Sequence, residues 1–121
     1  MAKIIIVDDS KSMRDLVRRS LMGVGHEVET VDPLSLFDVL KAIRGFMPTV
    51  VITDYLMPEC SAESLVRALR EDSSLKHIKV LVLSAHQDEN IIASMLRRGV
   101  DGYVFKGHAP TLLTRVQAMI H

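Results

Sequence analysis

The sequence predicts an α/β fold in which a five-stranded parallel sheet, in strand order 2-1-3-4-5, is doubly wound by helices on both faces. Five short strand-like runs alternate with five segments of helical periodicity along the 121 residues. Right-handed crossovers between parallel strands place helices on both faces of such a sheet. The second strand alternates polar and apolar residues, as an edge strand does, and this favours the stated order.

The composition is typical of a globular domain. Hydrophobic residues make up 48% and charged residues 25% of the chain, and this length buries a core without disulfides or metals. Fifteen basic residues balance fifteen acidic ones, so the net charge does not indicate nucleic acid or an anionic membrane as a ligand. The single Cys60 excludes an internal disulfide, the scattered histidines do not predict a zinc site, and no apolar run approaches the length of a membrane helix. We therefore expect one cytoplasmic domain over residues 1–121.

The first strand and helix are marked at both ends. Residues 4–7 form a β-branched apolar run that stops at Asp8 and Asp9. Ser10 is predicted to cap the following helix, and Gly23 to end it.

The second helix and the third strand lie on either side of Pro48. Residues 27–31 form the predicted edge strand, and apolar residues at helical spacing then predict a helix that ends near Gly45. Residues 50–52 are β-branched and apolar, which is typical of a strand buried on both faces. Asp54 follows where this strand should end.

The third helix is predicted to direct Arg67 and Arg70 outward, away from its apolar face. Residues 79–83 form the fourth strand, which ends at Ser84, and Gly99 is predicted to stop the helix that follows.

The fifth strand is the shortest, at residues 102–105, and Lys106 follows it directly. Pro110 suits the first position of the last helix.

Polar residues thus stand at the carboxyl ends of four strands, and they are Asp8, Asp9, Asp54, Ser84 and Lys106. These ends meet at one edge of a parallel sheet, where ligands usually bind. Clustered carboxylates repel one another unless a cation neutralises them, and Mg²⁺ prefers oxygen ligands and often shares its shell with a phosphoryl group. The pattern predicts a phosphoryl-transfer site with Asp54 as the nucleophile.

With these residues, Tyr103, and the Met57-Pro58 dipeptide after Asp54, the chain resembles the receiver domain of two-component response regulators from Lys3 to Ile120. The resemblance implies a flavodoxin-like (βα)5 fold. It also implies that Asp54 accepts a phosphoryl group from a sensor histidine kinase or a histidine phosphotransfer protein, so that the chain is a signalling protein rather than an enzyme acting on other substrates.

The same resemblance implies how the metal is held. Asp9, Asp54 and the backbone carbonyl of Leu56 would bind Mg²⁺ directly, and Asp8 would act through a metal-bound water. Leu56 and His86 would border the phosphoryl group.

The resemblance further implies that Ser84 and Tyr103 are the switch residues and that Lys106 binds the phosphoryl group. The switched surface would be formed by the fourth helix, the fifth strand and the fifth helix. It would control a downstream protein, an output domain fused to the receiver in a larger regulator, or a phosphorylation-dependent dimer, without direct contact to nucleic acid or membrane.

Three positions depart from the usual pattern of this family. Gly107 stands where a proline with a cis bond commonly follows the lysine, so the loop before the last helix lacks that constraint. Ser61 and Ala62 replace an acidic residue and a glycine in the loop after the Met-Pro dipeptide.

Three alternative functions can be considered for a site at the carboxyl ends of these strands. A Mg²⁺-dependent phosphatase of the haloacid dehalogenase type needs an Asp-x-Asp motif, whereas Asp8 and Asp9 are adjacent. A flavodoxin-like cofactor binder would place phosphate against these two acids, which repel it. A receiver-shaped interaction module that takes no phosphate is disfavoured by the presence of all four site residues, Asp9, Asp54, Ser84 and Lys106.

Overall fold

The computed structural model describes residues 2–106 and 109–120. The strands are β1 (Lys3–Val7), β2 (Glu27–Val31), β3 (Val50–Asp54), β4 (Lys79–Ser84) and β5 (Gly102–Phe105). The helices are α1 (Lys11–Met22), α2 (Leu36–Phe46), α3 (Ala62–Glu71), α4 (Glu89–Arg97) and α5 (Ala109–Ile120). All strand pairs are parallel, in the order β2-β1-β3-β4-β5. The predicted fold class and strand order are confirmed.

The sheet separates two apolar cores. Successive residues of a strand point to opposite faces, so Ile5 and Val7 pack with α2, α3 and α4, while Ile4 and Ile6 pack with α1 and α5. β3 is buried along its whole length, and β2 is half-exposed as predicted for an edge strand. Asp54 is the last residue of this central strand and therefore lies at the carboxyl end of the sheet.

Helix ends follow the predicted chemistry with one difference. The Ser10 hydroxyl accepts a hydrogen bond from the backbone N–H of Met13 at 3.3 Å and caps α1, and Gly99 has a φ of 104° after α4. Gly45, by contrast, lies inside α2. The helix ends at Phe46, because Pro48 disfavours a helical conformation for the residue before it. Met47 follows in the left-handed conformation, with a φ of 50°.

Arg70 does not point into solvent as the helical pattern predicts. Its guanidinium donates to the carbonyl of Gly99 at 2.8 and 3.0 Å, to that of Ile78 at 2.7 Å, and to the carboxylate of Asp101 at 3.0 Å. Arg67 is exposed, as predicted. Arg70 thus ties α3 to the segments that enter β4 and β5, and the prediction for this residue is wrong.

The last helix begins at Ala109, one residue before the predicted start at Pro110. Gly107 lies outside the described residues. Among the helices of residues 2–106 and 109–120, none combines the length and the apolar character needed to span a bilayer.

Candidate functional site

Asp54 is the last residue of β3 and is 9% exposed. Its Oδ1 accepts a hydrogen bond from the backbone N–H of Tyr55 at 2.8 Å, and its Oδ2 lies 3.3 Å from Nζ of Lys106. Burial raises the pKa of Asp54 above its ordinary value; Lys106 opposes this rise and Asp8 adds to it. The carboxylate is therefore held in place while its charge remains costly to bury.

Asp8 and Asp9 stand side by side after β1 but differ in exposure. Asp8 is buried, and its Oδ1 accepts from the backbone N–H of Ser10 at 2.9 Å, whereas Asp9 is exposed. One oxygen from each of Asp8, Asp9 and Asp54 lies within 4.8 Å of the other two. The structure therefore brings the three predicted carboxylates together.

Lys106 lies between two of these acids. Its Nζ is 3.2 Å from Oδ2 of Asp8 and 3.3 Å from Oδ2 of Asp54. Burial alone would lower the pKa of Lys106, but attraction by Asp54 and Asp8 outweighs burial and raises it. The ammonium thus offsets part of the repulsion among the carboxylates.

Ser84 and Tyr103 are joined through one residue of the loop after β4. The buried Ser84 hydroxyl accepts a hydrogen bond from the backbone N–H of His86 at 3.1 Å, which leaves the hydroxyl hydrogen available to donate. The Tyr103 hydroxyl donates to the carbonyl of the same His86 at 3.1 Å, and its half-buried ring packs against the core under α2, α3 and α4. Leu56 is 58% exposed in the loop after β3.

Two contributors were not identified from the sequence. The Arg14 guanidinium donates to the carbonyl of Asp8 at 2.6 Å, and the Tyr55 hydroxyl donates to Glu63 of α3 at 3.0 Å. A signal for Arg14 existed, because a basic residue near a helix N-terminus meets the positive end of the helix dipole and is unfavourable without another partner.

The carboxylate set suits a hard divalent cation. Mg²⁺ takes oxygen ligands at about 2.1 Å, so that opposite ligands lie about 4.2 Å apart. A span of at most 4.8 Å among the three acids needs only a small contraction to meet this geometry. The residues present therefore fit Mg²⁺.

Known proteins resemble this chain over most of its length. A family model described as the response regulator receiver domain matches residues 4–117. The chain belongs to the response regulator receiver family. This receiver is 30% identical over 113 residues to the chemotaxis protein CheY1 of Helicobacter pylori, covering 92% of this chain and 90% of that protein.

Two further similarities come from Vibrio cholerae. The receiver is 36% identical over 106 residues to the chemotaxis protein CheY-3, covering 86% of this chain and 79% of that protein. It is also similar to the solved structure of the chemotaxis response regulator CheY4, with a TM-score of 0.88, 30% identity and 98% of each chain covered. The chain is thus a receiver domain of the CheY type, the kind that serves two-component signalling.

Proposed function

We propose that this receiver, acting as one domain over residues 1–121, accepts a phosphoryl group on Asp54 from a sensor histidine kinase or a histidine phosphotransfer protein. One observation carries the proposal. The buried carboxylate of Asp54 lies within 4.8 Å of two further carboxylates and 3.3 Å from the ammonium of Lys106, so the groups that would serve as nucleophile, metal ligands and phosphoryl-binding cation lie close together.

The attacking oxygen would be Oδ2 of Asp54, because Oδ1 accepts a hydrogen bond from the backbone N–H of Tyr55, whereas Oδ2 faces the ammonium that would bind the phosphoryl group. Oδ2 attacks the phosphorus of a phosphohistidine; an O–P bond forms, the N–P bond breaks, and the electron pair remains on the imidazole nitrogen. Lys106, already 3.3 Å from Oδ2, would then contact a phosphoryl oxygen. Asp8, Asp9, Asp54 and the carbonyl of Leu56 would hold Mg²⁺, which neutralises charge that builds on the transferring group.

Ser84 and Tyr103 would transmit the modification to the surface of α4, β5 and α5. The free hydrogen of the Ser84 hydroxyl can be donated to a phosphoryl oxygen. Because the Ser84 hydroxyl binds the backbone N–H of His86 and the Tyr103 hydroxyl binds the backbone carbonyl of the same residue, movement of one side chain would shift the other. A partner protein, an output domain or a second phosphorylated copy would read this change.

Intact-mass analysis after incubation with acetyl phosphate tests the proposal. We expect one added phosphoryl group in wild type with Mg²⁺, none in Asp54→Asn, and little in wild type with a chelator. The absence of any gain with Mg²⁺, or an equal gain in the variant, would instead support a phosphate-independent interaction module.

A further inference from the structure

Arg14 connects two loops at the edge of the site. It lies on α1, and its side chain is only 14% exposed. Its Nη1 donates to the backbone carbonyl of Asp8 at 2.6 Å and lies 3.8 Å from Oδ1 of Asp32, which directly follows β2. The guanidinium therefore joins the loop after β1 to the loop after β2.

This position is unfavourable for an arginine on helical grounds alone. The N-terminus of a helix carries a partial positive charge, and the first turn of α1 contains no acidic residue to balance it. A largely buried guanidinium also needs hydrogen-bond acceptors. Arg14 donates a short hydrogen bond to the backbone carbonyl of Asp8, which indicates that it stabilises the loop that carries Asp8 and Asp9.

Asp8 is held by three contacts from different parts of the chain. Ser10 binds Oδ1 at 2.9 Å, Lys106 binds Oδ2 at 3.2 Å, and Arg14 binds the backbone carbonyl. In the proposed reaction Lys106 would also contact a phosphoryl oxygen, which competes with its contact to Asp8. Arg14 does not touch the carboxylate, and its contact with the loop is therefore compatible with every stage of the reaction.

We propose that Arg14 is a positioning residue that holds the Asp8-Asp9 segment where its carboxylates bind a divalent cation. The inference rests on the proposed function, because that function supplies the metal. Residues that orient metal ligands without touching the metal contribute to affinity, and their replacement commonly weakens binding about 10- to 100-fold.

Positioning and simple charge make opposite predictions for Arg14. The guanidinium is positive and therefore repels a cation, so its removal would tighten Mg²⁺ binding if charge were its whole effect. If Arg14 positions the loop, its removal weakens Mg²⁺ binding despite the lost repulsion. The sign of the change in affinity therefore decides between the two roles.

Calorimetric titration with magnesium chloride of the whole chain measures this sign. We expect Arg14→Gln to weaken Mg²⁺ binding about 10-fold. Arg14→Lys keeps the charge but has a single donor nitrogen with a different geometry, so its Mg²⁺ affinity should lie between those of Arg14→Gln and wild type. Arg18→Gln is the matched control: it removes the same charge from an exposed position of the same helix, and its affinity should stay within about twofold because exposed charges are screened. Unchanged or tighter binding in Arg14→Gln would overturn the inference.

Amide NMR spectra without Mg²⁺ supply the fold control. Arg14→Gln should keep the wild-type dispersion, with shifts concentrated at residues 8–10 and 32–35. If this variant does not fold, Arg14→Lys carries the test, and wild-type affinity in it would overturn the inference. Phosphoryl uptake is scored separately: weaker Mg²⁺ binding in Arg14→Gln together with no uptake by wild type would overturn the proposed function alone.

Discussion

Replacing Asp54 with asparagine is expected to stabilise the fold at neutral pH when Mg²⁺ is absent. Burial raises the pKa of Asp54 above its ordinary value of 3.8, so the ionised carboxylate is less stable in the folded than in the unfolded chain. This cost is present at neutral pH and disappears as the pH falls below the unfolded value. Asparagine keeps an oxygen that can accept from the backbone N–H of Tyr55 and removes the charge.

Burial and two nearby charges give the magnitude. At an effective dielectric constant of about 20, Lys106 at 3.3 Å attracts the Asp54 carboxylate by about 5 kcal/mol, and a carboxylate no more than 4.8 Å away repels it by at least about 3.5 kcal/mol. Repulsion by Asp8 therefore offsets most of the attraction by Lys106, while Asp9 adds little because it is exposed and screened by water. Burial is the largest cause of the raised pKa, and its cost for a charged group exceeds what remains of the attraction, so we expect a net gain on the order of 1 kcal/mol.

Urea unfolding at neutral pH, with chelator and then with Mg²⁺, measures this difference. At ten times its dissociation constant, Mg²⁺ stabilises wild type by about 1.4 kcal/mol, which would cancel the advantage of the variant. Glu59→Gln, at an exposed position in the loop after β3, is the control and should change stability by less than about 0.5 kcal/mol. If Asp54→Asn is less stable than wild type in chelator, the buried charge of Asp54 does not destabilise the fold, and the reasoning is wrong.

Three further predictions concern other parts of the chain. Ser84→Ala should leave phosphoryl uptake by Asp54 largely intact but shrink the NMR shifts that beryllofluoride, a phosphoryl mimic, causes across α4, β5 and α5; undiminished propagation would contradict the route through His86. The buried His26 accepts a hydrogen bond from the backbone N–H of Ala2 on Nδ1, and burial lowers its pKa below 6.5, so its contribution to stability is present above about pH 6.5 and is lost as the pH falls through the lowered folded-state value. Between pH 7.5 and 5.5, the free energy of unfolding in urea should fall less for His26→Asn than for wild type. An equal fall in both proteins would show that His26 does not contribute to this pH dependence. Gly45→Ala should stabilise the fold by about 0.5 to 1 kcal/mol, because Gly45 lies in α2 with open space around it. Gly102→Ala should destabilise the fold by about 1 kcal/mol or more, because the added Cβ would lie 2.5 Å from Cε of Met119 and 2.7 Å from Cδ1 of Leu81. Thermal unfolding should therefore show a raised midpoint for Gly45→Ala and a lowered one for Gly102→Ala.

The fold and the membership of the site were predictable from local patterns. Buried strands of a parallel sheet are continuous apolar runs, so the residue that ends each run is visible in the sequence. Asp8, Asp54 and Ser84 were identified in this way, and the strand order then places them at one edge.

The contacts between distant residues were not predictable. The helical pattern marks Arg70 as polar, but its acceptors at Gly99 and Asp101 lie 29 and 31 residues away, and no local rule connects them. The same holds for Lys106, which was expected to serve the phosphoryl group and also lies between Asp8 and Asp54. The end of α2 depends on a choice between two local rules. A glycine often ends a helix, which favours Gly45, but the helix continues to Phe46 and stops only before the Met47-Pro48 pair.

The two hydrogen bonds at His86 are made by its backbone N–H and carbonyl, not by its imidazole. The side chain at this position can therefore be exchanged without breaking the connection between Ser84 and Tyr103. Position 86 is thus suited to a probe, such as a fluorophore-labelled cysteine, that reports movement of this loop and leaves both hydrogen bonds in place. Proline is the exception, because it has no N–H to donate to Ser84, and it would uncouple the loop while leaving the pocket around Asp54 in place.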